Sequence, residues 1–135
     1  YWSAQVDIQW QIATAWTIFA AGNHADGLKA LSAAADAEDK TDKHVVTPGP
    51  LAPARELYGH MLLERGMARE ALAAFEATLK KEPRRLGTTL GAAKAAEKAG
   101  DSTKARQYFS AAVALTEAAE PVRSEIAEAR RIITR

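Results

Sequence analysis

The sequence predicts an all-α chain of antiparallel helix pairs, on three observations. Its apolar share is 47%, alanine dominates that share, and aromatics are only 7%, a composition suited to helices in close contact through small side chains. The chain also repeats itself at a fixed interval, and glycines and prolines fall where the repeating segments end and begin. At 135 residues it is long enough for one continuous core and short for two.

The repeat is read by setting Gly59, Gly66, Ala71, Phe75 and Leu79 against Ala93, Gly100, Ala105, Phe109 and Val113. Each residue stands 34 positions before a mate of similar size and chemistry, and such a period marks stacked supersecondary units. Small Gly59 and Ala93 allow two helices to cross closely, while Gly66 and Gly100 suit the left-handed turn that ends a helix. Ala71 and Ala105 leave room for the rings of Phe75 and Phe109 one turn later. A weaker copy precedes these: Ala15, Gly22, Gly27 and Leu31 lie 44 positions before Gly59, Gly66, Ala71 and Phe75. The extra length belongs to the polar, Pro-rich run over 36–50.

The elements follow in order. Helices are predicted over 2–21 and 24–38, the first, divergent pair, and a Pro-rich loop over 39–50. A second pair covers 51–65 and 68–81, within a unit of residues 51–83. A third covers 84–99 and 102–117, and a helix over 121–134 caps the stack. Asp101 is placed as an N-cap, and Pro53, Pro83 and Pro121 as first-turn prolines whose missing N–H costs little. The last helix carries Val122, Ile126, Ala129 and Ile133 on one stripe, with Arg123, Glu125, Glu128 and Arg130 outside it.

The run GMAREALAAFEATLKKEP over 66–83 and its echo GDSTKARQYFSAAVAL over 100–115 resemble the tetratricopeptide repeat family across nearly the whole chain. The loop DKHVVTPGPLAPARE over 42–56 is similar to segments of bacterial tetratricopeptide proteins of unassigned role. Glu117 departs from the family pattern, which places a proline there, and small Thr89 and Ala92 are expected to weaken the packing of the third pair. The resemblance implies a right-handed superhelical array of three helix pairs plus a capping helix. It also implies a concave groove lined by the first helix of each pair and used for peptides or helices of partner proteins. Carried over by position, the groove presents Gln9, Ile12, Trp16 and Phe19, then Glu56, His60 and Leu63, then Leu90, Lys94 and Glu97. The family's carboxylate clamp is missing, since the matching positions hold Ile12, Trp16, Leu57, Gly87 and Gly91. Dependence on a partner's free C-terminal carboxylate is therefore not expected.

The expected function is a non-catalytic interaction or scaffold module holding a protein or peptide partner, without a cofactor. A different class stays open: a small-ligand or metal-binding domain built on loop 42–56 with His60. There His44 and Arg55 face a ligand and His44, Glu56 and His60 form a two-His-one-carboxylate set, Glu56 and His60 sharing a helical face. No HExxH run supports the metal reading, and no metal ligand set is assigned. Ser3, Ser32, Ser102, Ser110 and Ser124 lack nucleophile-elbow surroundings, and no Gly-rich phosphate loop occurs.

Eighteen basic residues against 17 acidic give a net charge of +1, without the one-signed field of a nucleic-acid binder. Lys80, Lys81, Glu82, Arg84 and Arg85 are read as a solvated helix junction. The absence of cysteine removes disulfides and thiolate zinc sites. No apolar run reaches the roughly 20 residues of a membrane-spanning helix, so membrane insertion is not expected, and the compartment stays open. The opening on Tyr1 reads as a fragment of a longer protein. The first helix is aromatic all round: Trp2, Val6 and Trp16 are read as pointing one way, with Ile8, Trp10 and Phe19 spread about the cylinder. A homodimer through this helix, a further repeat upstream, or absorption of the rings by groove and core would each account for that.

Overall fold

The computed structural model describes residues 2–41, 51–117 and 124–134. Among these, seven helices and no strands occur: α1 Trp2–Ala20, α2 His24–Asp39, α3 Ala54–Glu64, α4 Ala68–Lys81, α5 Leu86–Lys98, α6 Ser102–Thr116 and α7 Ser124–Ile133. Each helix packs on the next in sequence, and α3 also touches α5, the arrangement of a stack of helix hairpins. His44, Val45, Val46, most of the Pro-rich loop, and Pro121, Val122 and Arg123 lie outside the described residues.

The three hairpin turns share one backbone device. Gly22, Gly66 and Gly100 have φ of 98°, 73° and 84°, a left-handed conformation that glycine adopts without steric cost. In each turn the following residue reaches back to a carbonyl five positions earlier: Asn23 to Ile18, Met67 to Leu62, and Asp101 to Ala96. That bond consumes a carbonyl the helix end leaves unsatisfied. Asp101 then caps α6, its carboxylate accepting from the Lys104 N–H at 2.9 Å.

Two prolines act differently from expectation. Pro53 is the N-cap of α3, extended at φ −57° and ψ 139°, so the helix starts at Ala54 and not at residue 51. Pro83 precedes α5 by three residues. It ends α4, because a residue before proline is driven out of the helical region, and Glu82 is extended at φ −135° and ψ 77°.

The core forms two adjoining clusters. Ile8, Ile12, Ala15 and Phe19 of α1 meet Leu31, Ala34 and Ala35 of α2, with Ala54 and Met61 of α3. A larger cluster runs from Leu62 through Phe75, Leu90 and Phe109 to Ile126 and Ala129 of α7. Leu28 and Tyr58 pack against both, joining them. Phe75 is fully buried in a slot between two glycines: a Cβ on Gly59 would lie 2.8 Å from its ring, and one on Gly91 2.6 Å. Thr88, Thr89 and Ala92 are buried, and α5 is small because α4 supplies a large ring.

The aromatic faces of α1 divide otherwise than expected. Ile8 and Phe19 are in the core and Trp16 packs against it, whereas Trp2, Val6 and Trp10 stand 67%, 65% and 69% exposed. Groove and core thus do not absorb Trp2 and Trp10. Trp16 borders this exposed stripe, about 40° around the helix from Trp2, but is half-buried where the stripe is exposed.

Candidate partner-binding groove

α1, α3 and α5 are the first helices of the three pairs and carry the residues expected to meet a partner. The structure sorts them by depth. Trp16, His60 and Leu63 are half-buried, while Lys94 and Glu97 are exposed. Ile12, Phe19, Glu56 and Leu90, expected to present themselves to a partner, are only 6%, 6%, 6% and 7% exposed. They are interior and not surface: Ile12, Phe19 and Leu90 belong to the two core clusters. Trp16 meets the Phe19 ring edge-on at 5.8 Å, and Phe19 meets His24 at 4.7 Å, which orients the indole from below.

The floor between α3 and α5 is polar and held by named bonds. Glu56 Oε2 accepts from Arg85 Nε at 2.9 Å and from Thr88 Oγ1 at 2.7 Å. Burial opposes the charge on this carboxyl, but the donors around it outweigh burial and bring its pKa from 4.5 down to about 2. His60 Nε2 lies 3.9 Å from Oε1, a neighbour in the field but too far for a hydrogen bond. Its ring instead stands edge-on to Phe75 at 4.8 Å. Arg85 continues the lock, donating to Leu51 O at 3.0 Å and to Glu82 Oε2 at 3.3 Å. Arg85 is therefore not part of a solvated basic junction, as the sequence suggested, although Lys80 and Arg84 beside it are exposed. Gly87 completes the lock, since a Cβ there would stand 2.9 Å from Glu56 Oε1.

Arg55, expected to face a ligand, is committed to structure. Its Nη2 donates to Asp36 at 2.6 Å and to Asp39 at 2.7 Å, and Lys81 Nζ reaches the same Asp39 at 2.8 Å. Burial tends to raise the Asp39 pKa, but these cations hold it below its ordinary value. Glu38, beside them, is shifted the other way by burial, with one oxygen accepting from the Ala54 N–H at 2.6 Å. Together these bonds tie the end of α2 to the starts of α3 and the loop, and to the end of α4.

The pairing of Glu56 with His60 expected from their spacing is present, but the carboxylate is already occupied by Arg85 and Thr88. Among the described residues no three metal-ligating side chains come together, and His44, the third member of the expected set, lies outside them. Among the described residues no helix is long and apolar enough to cross a membrane.

The partners of Glu56 were not legible in the sequence. Arg85 and Thr88 lie 29 and 32 residues further on, and no local pattern links them.

This geometry defines an all-α helical-repeat fold of the tetratricopeptide-like kind. No family model matches the chain, and no curated protein matches it. Solved structures do. The crystal structure of PcrH from Pseudomonas aeruginosa superposes with a TM-score of 0.71 at 20% identity, over 95% of this chain and 89% of that one. PcrH in complex with the chaperone binding region of PopB gives 0.70 at 18%, over 93% and 94% of the two chains. PcrH with the chaperone binding region of PopD gives 0.75 at 18%, over 96% and 90%. At such identities the likeness establishes the fold.

Proposed function

We propose that this chain is a tetratricopeptide-family interaction module, without catalytic activity, that holds a peptide or helix of a partner protein on the face formed by α1, α3 and α5. Residues 1–135 work as one unit, with the helix pairs supplying the walls and α7 closing the stack. The observation that supports the reading is the half-buried state of Trp16 on α1 and of His60 and Leu63 on α3, with α3 fixed to α5 by the Glu56–Arg85–Thr88 lock. A rigid floor lowers the ordering cost of binding, and a half-buried indole is the kind of anchor that carries interface energy. Lys94 and Glu97, exposed at the α5 end, add polar selectivity at the rim. PcrH, which shares the fold, is seen with regions of PopB and PopD, and partner holding is the use proposed for the fold here.

A displayed library of linear peptides tests this. Peptides selected on the chain are expected to lose at least tenfold in affinity against a Trp16→Ala, His60→Ala double variant and to be unaffected by Arg106→Ala on the outer face of α6. Selected peptides that bind both variants as well as the parent would overturn the groove assignment. Their behaviour with a blocked C-terminus is a second readout: no loss is expected, because the carboxylate-clamp positions hold Ile12, Trp16, Leu57, Gly87 and Gly91.

A further inference from the structure

Trp2, Val6 and Trp10 are spaced by four residues on α1 and are all about two-thirds exposed. They form one stripe, because four residues advance a helix by little more than a full turn. The stripe lies opposite the buried row Ile8, Ile12, Ala15 and Phe19 and carries nothing of the groove's half-buried row. It reads the same in both directions, tryptophan, valine, tryptophan, about Val6. A symmetric two-fold contact requires a surface that complements itself, and this one does: antiparallel apposition centred on Val6 seats each Trp2 against the other copy's Trp10.

We propose that a second copy of this chain docks on this stripe, giving a two-fold homodimer with α1 antiparallel to its mate. The inference does not rest on the groove reading, although Gln9, at the border of stripe and groove, belongs to both. Charge permits it, since α1 contains no lysine or arginine and its one charged residue, Asp7, is exposed off the stripe and keeps its water in the pair. Area sets its strength. Two exposed indoles and a valine offer about 400 Å² per copy, and flanking Ser3, Gln9 and Ala13 bring the total to about 1,200 Å², the lower end for a specific interface. The dimer is accordingly a weak one, in reversible exchange with monomer at micromolar concentration.

Sedimentation equilibrium from low micromolar to several hundred micromolar tests this. The average mass is expected to climb from the 14.5 kDa of one chain toward twice that and no further. Trp10→Glu is expected to stay monomeric with an unchanged helical spectrum, because the replaced ring is a surface group. The register has its own test, since the chain has no cysteine. Val6→Cys is expected to form a disulfide-linked dimer under mild oxidation, at several times the rate of Thr103→Cys on the outer face of α6. A parent that stays monomeric throughout, a Trp10→Glu dimer as tight as the parent's, growth beyond two copies, or equal cross-linking at the two cysteines would each overturn the proposal.

Discussion

Phe75 sits where two helices lack side chains, and its ring fills the space that Gly59 and Gly91 leave. Adding a methyl at Gly91 places a Cβ 2.6 Å from the ring, in a core where Phe75 is fully buried and has nowhere to move. Overpacking of this kind costs about 1–3 kcal/mol, while alanine is better than glycine inside a helix by about 1 kcal/mol. With the ring closer than 3.0 Å and fully buried, steric conflict outweighs the propensity gain, and Gly91→Ala is expected to lower stability by up to about 2 kcal/mol in urea unfolding. A smaller penalty in the presence of Phe75→Leu would show that the ring is the cause. Glu56 offers a second residue-level test. Its folded pKa of about 2 lies below its ordinary 4.5, so its stabilising contribution is fully present above pH 4.5 and is lost as pH falls toward 2. The shift corresponds to about 3 kcal/mol. Glu56→Gln is expected to cost about 2 kcal/mol at neutral pH, by leaving Arg85 without its best acceptor, and to flatten the stability curve between pH 4.5 and 2. An acid limb as steep as the parent's would assign the pH dependence to other carboxyls.

At the scale of elements, the features legible in the sequence are those that repeat locally. Gly66 and Gly100, 34 residues apart, fix the turns because left-handed backbone has a strong residue preference, and Asp101 caps α6 through a bond to the residue three positions on. Pro83 was placed in the first turn of α5, but the chain needs three further residues to leave α4 and enter α5. Local preference allows proline in either place, and packing of Leu86 and Leu90 on the core decides between them. By position Glu56 matches groove surface, and only Arg85 and Thr88, brought close by the fold, turn it inward. Arg55 shows the same limit, its acceptors being Asp36 and Asp39 across the loop. Since Arg55 bridges α2 to α3, Arg55→Ala is expected to cost about 1 kcal/mol, within the range for partly exposed ionic networks. It is also expected to speed amide exchange in the first turn of α3 more than in α5. Equal acceleration in both helices would mean a global loss of stability and not a broken local tie.

For the whole molecule, the two clusters joined by Leu28 and Tyr58 make one support on which two surfaces stand. One is the proposed groove, with half-buried Trp16, His60 and Leu63, and the other is the exposed stripe of Trp2, Val6 and Trp10. They adjoin on α1, where Gln9 stands between Trp16 and Trp2 around the helix. The most direct measurement of the groove's role is amide chemical-shift mapping of the chain titrated with a library-selected peptide. The largest shifts are expected at Trp16, His60, Leu63, Lys94 and Glu97, with the outer faces of α4 and α6 unmoved. Shifts concentrated on α4 and α6, with Trp16 and His60 silent, would contradict partner binding on the face of α1, α3 and α5.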